Sequence, residues 1–536
     1  MSRASRVLSR VFPGIFAAVM AAVLVVLLCC SSLDYAAKRL LSLPGWQLLL
    51  LGLAAAALLY VLAGLLCRLK IRGREVLSLP RAEWVLFAVV FLLQLVLAYS
   101  YYFRTNWDVG AVTQTAENLA HAVPGEKIKY IYNYGRYPNN LLITFLFSRL
   151  MRAAHLLGLH AYEYFVLIAV QCFVSSLTLV LLLKTARLFP LGKQASVTAG
   201  LLYLLLVSLS PWVTVPYSDS LGLFFPVTLL YLALRRTEKP LWAFLRFFLL
   251  AALSVAAYFI KPTLLAVPAG LLFYRACAFL FARRGKKAAA SPAAPVSEPE
   301  TDPRVRAAAG LFAGLVCSLL LCSRMAFVTY PDRPAQKTFG WAHFLMMGFN
   351  EDYMGTFAQE DVLYSDSFAT PEERSAGNLE AFRNRVAYMK ASGVADLMLR
   401  KTLTNYNDGT FCWGGEGNFY LDVPERSGWL NSLTRSVYYN GEEETGSAYP
   451  AWQHSVQALW LALLLLALLS AFRRPCRPVL VCMAAVLFLT VFHLLFEARA
   501  RYFFAFVPLY ILLAVSGLEA VRSFFIRLFR LRKATA

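Results

Sequence analysis

Charge is what this sequence has least of. Only 15% of its 536 residues are charged, while 59% are hydrophobic, a balance that ordinary soluble domains do not show. The apolar residues recur in runs of about 20, the length that crosses a bilayer. A polytopic membrane protein is therefore expected, and counting soluble domains by length does not apply. All but one of the ten cysteines lie in apolar segments or in short loops beside them. The exception, Cys412, stands alone in the long polar segment from Tyr330 to His454, so that segment cannot close an internal disulfide. The sequence also lacks a fixed-period repeat, a P-loop and a Rossmann fingerprint, so nothing in it supports a soluble ATP or nucleotide-sugar site. No cofactor and no metal ligand set is expected, and a divalent-metal requirement stays open.

The net charge of +21 does not point to nucleic acid. Acidic residues outnumber basic ones between Tyr330 and His454, and the basic surplus sits in short loops and tails, where it orients membrane helices. Twelve spans are predicted, at roughly 12–32, 47–67, 84–103, 162–183, 195–213, 217–234, 241–259, 262–281, 307–328, 455–472, 478–496 and 501–522. The basic loops then alternate as the positive-inside rule requires, at 68–81, 184–193, 235–236, 473–477 and 522–533. This assignment holds only if the apolar stretch from Leu141 to Leu157 does not cross. Arg149, Arg152 and His155 in its second half suit a helix lying in the interface. Both termini then face the cytoplasm, while the loop 104–161 and the segment 329–454 face outward.

The expected organisation is two N-terminal helices in 1–83, a membrane core in 84–281, a span at 307–328, an extracytoplasmic segment at 329–454, final spans in 455–522 and a basic tail at 523–536. The charged amino end followed by an apolar run reads as a signal anchor. Residues 282–306, rich in proline, alanine and charge, read as a disordered cytoplasmic linker.

Asp108 lies where the third span leaves the bilayer, in the string RTNWDVG (104–110). It caps the following helix, or it is a general base for an acceptor hydroxyl; the two are compatible. Glu117, further along that helix, reads as a solvated face. The stretch YIYNYGRYPNN (130–140) supplies interfacial tyrosines, among them Tyr137, which serve as ordinary anchors or contact substrate. Arg136 precedes the interfacial helix, whose amino end helps bind an anion.

FEARARY (496–502) places Arg499 and Arg501 in an outer turn, against the positive-inside preference. They either pair with Glu497 or hold a phosphate through bidentate guanidinium bonds. Lys261 is a second misplaced cation. Asp219, in the outer turn PWVTVPYSDS (211–220), caps the next helix or contacts sugar hydroxyls or a metal. The Gly-, Asn- and aromatic-rich stretch 404–419 suits a loop folding over a site, with Trp413 and Glu416 as acceptor contacts. Tyr502 adjoins the two arginines.

Together, the outward Asp108, the Arg136-Tyr-Pro138 turn, the Pro-Tyr-Ser-Asp219 turn and the FEARARY502 turn resemble the GT-C fold glycosyltransferases. The likeness is to bacterial members of the dolichyl-phosphate-mannose mannosyltransferase and aminoarabinose transferase type. It covers roughly residues 84–522, with the first two spans as an addition. The resemblance implies an all-α polytopic fold of about twelve spans, with an outward interfacial-helix loop and a small extracytoplasmic segment. It also implies transfer of a sugar from a polyprenyl-phosphate donor to an envelope glycan or glycolipid on the outer face of the cell membrane. Asp108 would then be the catalytic base; Arg499, Arg501, Lys261 and Arg136 would bind the donor phosphate, and Asp219, Tyr137, Tyr502, Trp413 and Glu416 would contact substrate. The chain carries Tyr-Pro-Asn-Asn140 where many such enzymes carry His-Pro-Pro. It lacks a Trp-Trp-Asp signature and shows no clear second acid beside Asp108, so the acceptor class is open. The rival readings are a lipid-linked saccharide flippase or transporter, which tends to place its charges at mid-membrane, and a non-catalytic subunit of an envelope-polymer complex.

Overall fold

A computed structural model describes residues 3–33, 35, 41–71, 74–75, 82–123, 125, 127–235, 237, 239–283, 303–415, 426–441, 444–473 and 476–535. The helices are α1 (Arg3–Cys29), α2 (Gly45–Arg68), α3 (Ala82–Tyr101), α4 (Asp108–Ala120), α5 (Leu141–Leu156), α6 (Glu163–Ala186), α7 (Lys193–Tyr203), α8 (Ser218–Leu221), α9 (Phe224–Leu234) and α10 (Pro240–Ile260). They continue as α11 (Ala266–Arg283), α12 (Pro303–Thr329), α13 (Trp341–Gly348), α14 (Gln359–Asp366), α15 (Pro371–Tyr406), α16 (Trp429–Tyr438), α17 (Tyr449–Leu469), α18 (Arg477–Leu495) and α19 (Val507–Thr535). The named strand pairing is a two-residue turn, Lys70–Ile71 against Arg74–Glu75. The molecule is an all-helical, multi-pass membrane protein.

Nine helices among the described residues are long and apolar enough to cross a bilayer. Three further predicted spans appear as shorter apolar helices, Lys193–Ser208, Ser218–Leu234 and Pro262–Cys277. Their shortness has local causes. α7 ends in a π-helical turn, Leu204–Ser208, and a 3-10 turn starts at Pro211. Gly222 separates α8 from α9, and Pro262 opens another 3-10 turn. Proline removes a backbone donor, and irregular backbone at such depth survives only when protein covers it or when it lines a cavity. Residues 211–220 are all buried.

The centre belongs to the C-terminal helices. The most apolar 18 residues of Ala500–Leu528 are 83% buried, against 17% for those of Ala82–Tyr101 and of Arg304–Thr329. At the rim, α12 lies along α10 with Gly310 and Gly314 facing it. A methyl group on Gly314 would stand 2.2 Å from the Phe248 carbonyl oxygen, so this contact requires a small-residue stripe. The first two helices are part of the body and not an addition. Phe16, Met20 and Leu27 of α1 are fully buried in the common core, and α1 and α2 both pack on α17.

Loops assigned to one side by charge do meet at one end of the bundle. Lys193 pairs with Glu75, Arg187 with Glu83, and Arg477 donates to the Ala233 carbonyl at 3.1 Å. Loops assigned to the other side meet at the opposite end. Tyr35 bonds Asn407, Ser42 bonds His454, and Arg426 donates to the Tyr102 carbonyl at 2.9 Å. Arg72, Arg81, Arg236, Arg474 and most of the 282–306 linker lie outside the described residues.

α5 carries a buried stripe of Leu142, Ile143, Phe147, Met151 and Ala154, while Leu146, Arg149 and Arg152 are exposed, the pattern of an amphipathic helix. The segment after Tyr330 is not a separate lobe either. Its stretch 404–413 is buried throughout and plugs the helix bundle. There Asp408 accepts the Cys412 amide at 2.8 Å, holding Phe411 and Cys412 at positive φ.

The two-ended arrangement has a direct test. In a background freed of native cysteine, an impermeant maleimide should label Lys70→Cys and the exposed Tyr388→Cys from opposite faces of membrane vesicles. Labelling of both from one face would remove it.

Candidate functional site

Asp108 is the first residue of α4, and the residue preceding the helix is Trp107, with no side-chain cap bond. The capping expectation is thus corrected: the carboxylate sits in the first turn, where the helix dipole favours negative charge, and it is exposed. Gly110 makes the tight approach possible, because a methyl group there would stand 2.0 Å from the Thr105 carbonyl oxygen. The Tyr217 hydroxyl donates to Asp108 Oδ2 over a long 3.5 Å and accepts from Asn140 Nδ2 at 3.2 Å.

Asp219 is in α8, 1% exposed, and does not cap its helix through its side chain. It pairs instead with Lys261, and its Oδ2 lies 3.6 Å from Arg501 Nε. The buried carboxylate between two cations is more demanding than a cap. Burial pulls the Lys261 ammonium below its ordinary range, and Asp219 pulls it back. Lys261 also stands 3.9 Å from the centre of the Tyr502 ring, and the Arg501 guanidinium covers Trp107 at 4.1 Å. Trp107 is the residue before Asp108. Asp108 and the cations expected to face it are therefore joined through Trp107 and Tyr217.

Glu497 completes the array. Its Oε1 accepts the Tyr502 hydroxyl at 2.8 Å. Burial raises its carboxyl above the usual range; Arg499, the Tyr502 hydroxyl and Arg501 oppose this, and Asp108 adds to it. A second acid therefore stands in the field of Asp108, where the sequence showed none. Arg501, expected beside Glu497, also reaches Asp219. Arg499 donates its amide to Asn405 Oδ1 at 3.0 Å. Tyr137 packs against Tyr132 and edge-on to Phe339 at 5.5 Å; burial raises its hydroxyl, and Glu497 and Asp108 add to this.

Two expected contacts fall elsewhere. Arg136 pairs with Asp366 and faces the Phe339 ring at 5.8 Å. Trp413 is 1% exposed, edge-on to Trp212 at 5.6 Å, and donates its indole N–H to the Tyr438 carbonyl. It is a core indole and cannot stack on a sugar. Glu416 lies outside the described residues. Glu117, read as a solvated face, pairs with Arg104 at 2.6 Å.

Lys401 was missed. It is fully buried in α15, and its Nζ donates to the Gly348 and Phe496 carbonyls at 2.6 and 2.7 Å. It thereby fixes the start of the turn that carries Glu497, Arg499 and Arg501. A lysine in a helix of mixed polarity gives no sequence signal of this.

A family model described as conserved hypothetical integral membrane protein matches residues 6–521. The chain belongs to that family. No curated protein and no solved structure matches it. The family match includes the first two helices, in keeping with their packing against the core.

Removing one member of a buried ion cluster leaves the others uncompensated, at about 3–5 kcal/mol. Asp219→Asn should therefore lower the thermal melting point of the detergent-purified protein of this integral membrane family; an unchanged melting point would deny Asp219 its pairing role. Lys401 supplies a second test. Burial lowers it to about 7, opposed by Glu497, whereas an unfolded lysine keeps its proton to about 10.4. The unfolded chain binds more protons between those values, so stability rises with pH across that window. The melting point of the native protein should gain on that of Lys401→Met between pH 7 and 9. A constant gap would contradict the assignment.

Proposed function

We propose that the chain is a membrane glycosyltransferase that moves a sugar from a polyprenyl-phosphate-linked donor to a cell-envelope acceptor on the outer face of the cell membrane. The observation that carries this reading is one array at one end of the bundle. An exposed carboxylate, Asp108, adjoins a buried Lys261–Asp219–Arg501 cluster through Trp107 and Tyr217.

In the proposed reaction the acceptor hydroxyl gives its proton to Asp108 as its oxygen attacks the anomeric carbon. The bond from that carbon to the phosphate oxygen breaks, and the electron pair leaves with the lipid phosphate. The leaving group gains one negative charge, which Lys261, Arg499 and Arg501 stabilise. Asp219 holds two of these cations at a fixed place, so that little reorganisation accompanies the charge transfer. Tyr217 orients the base, and Tyr137 and Tyr502 flank the sugar. The donor lipid enters from the bilayer, so no soluble carrier is needed. The orientation of this end toward the outside rests on the positive-inside assignment.

One feature favours this reading over a flippase: the positive-inside assignment puts Lys261, Arg499 and Arg501 in outer turns between spans, whereas transporters gather their charges at mid-membrane. In proteoliposomes containing labelled polyprenyl-phosphate sugar and an envelope extract as acceptor source, the purified protein should release polyprenyl phosphate and form labelled glycan. Asp108→Asn should cut that turnover about 10²–10⁴-fold and leave donor binding largely unchanged. Near-normal turnover would end the base assignment, and translocation of intact donor would replace the transferase by a transporter.

A further inference from the structure

Three of the six histidines in the chain meet at one point far from the array around Asp108. His121 follows the last turn of α4, His155 lies in the last turn of α5, and His160 opens the short 3-10 turn that leads into α6. Glu163, the first residue of α6, is the hub. Its Oε2 lies 2.6 Å from His121 Nε2 and its Oε1 2.9 Å from His155 Nδ1. His155 Nδ1 is in turn 2.9 Å from His160 Nδ1.

The chain reverses between the last two histidines at Gly158, whose φ of +77° suits glycine. Ligand atoms of His121, His155 and Glu163 all lie within 4.8 Å of one another. The side chain of Glu163 is 7% exposed, while those of His121 and His155 are 37% and 44% exposed. A buried carboxylate with partly open imidazoles offers an ion a route in.

We infer that His121, His155 and Glu163 form a transition-metal site, with His160 placed to complete it. Imidazole nitrogens with one carboxylate oxygen suit zinc and its neighbours, whereas magnesium and calcium prefer all-oxygen sets. Four protein ligands would close a tetrahedral sphere, the mark of a structural zinc site. Donor atoms around zinc stand about 3.3 Å apart, from metal–ligand distances near 2.0–2.1 Å. From 2.6 and 2.9 Å the two histidine–carboxylate contacts would open by about 0.7 and 0.4 Å, and the widest pair of ligand atoms, within 4.8 Å, would draw in.

The role is clamping. The ligands come from three helices, so the ion would tie the C-terminal ends of α4 and α5 to the start of α6. α4 has 13 residues with Asp108 at the other end, a separation of about 20 Å. The metal is then remote from the proposed sugar chemistry but anchors the helix that presents Asp108. The inference stands whether or not the chain transfers sugars.

The full-length protein, purified in detergent without chelator, should contain about one equivalent of zinc by elemental analysis. Cobalt substituted for zinc should give the visible absorption of a tetrahedral ion, and the native protein should melt higher in zinc than in chelator. A His121→Ala, His155→Ala double variant should lose the metal, the cobalt band and the zinc-dependent rise in melting point. His454→Ala, at a distant histidine, should keep all three. Should the double variant fail to fold, the native protein in zinc against chelator still decides. Three results would overturn the site: no stoichiometric metal in the native protein, no melting shift between zinc and chelator, or equal metal content in native protein and double variant.

Discussion

The pairing of Asp219 with Lys261 and Arg501 is the constraint on which the rest of this molecule turns. A carboxylate that is 1% exposed cannot remain charged in a bilayer-embedded bundle without cations at hand. Those cations come from the α10–α11 junction and from the start of the α19 segment, while Asp219 itself comes from α8. Three stretches of helix must therefore stop short, and proline and π-helical turns make them stop. The broken helices and the ion cluster are two views of one requirement. Where the backbone is irregular, the polar groups gather.

Around that cluster the structure uses ring faces as connectors. Trp107 is covered by Arg501, and Tyr502 lies beneath Lys261. These rings let buried cations sit beside apolar helices without a water shell. They also couple α4 to the C-terminal turn, so the exposed Asp108 is positioned by groups that come much later in the chain. Lys401 reinforces that turn from outside the membrane spans, through two backbone carbonyls rather than through a counter-ion.

Much of the fold was legible from hydrophobic runs and loop charge. All twelve apolar segments reappear as helices, and the loops grouped by charge do meet end by end. Lys261 and Arg501 stood out because cations in short turns at that end break a rule, and the structure brings them together on one carboxylate. What remained hidden depended on packing. A buried indole and an exposed one look identical in sequence, so Trp413 was misplaced. Glu497 was visible as a neighbour of the arginines, but the electrostatic influence of Asp108 on it acts between residues far apart in the chain. The histidines at 121, 155 and 160 are separated by a whole helix and a glycine turn, and neither their spacing nor Glu163 marks them as a group. The first two spans read as an addition because resemblance began after them, yet Phe16 and Leu27 lie in the common core.

The depth of α19 bears on how the molecule is made. A ribosome delivers helices in chain order, and this bundle places its most enclosed helix after all the others. The earlier spans enter the bilayer with their inward faces still unmatched, and Asp219 waits there with Lys261 but without Arg501. Assembly therefore runs from rim to centre, and the centre closes only when the final span arrives. A nascent chain halted before Arg501 would present a charged seam to lipid, a natural mark for membrane quality control.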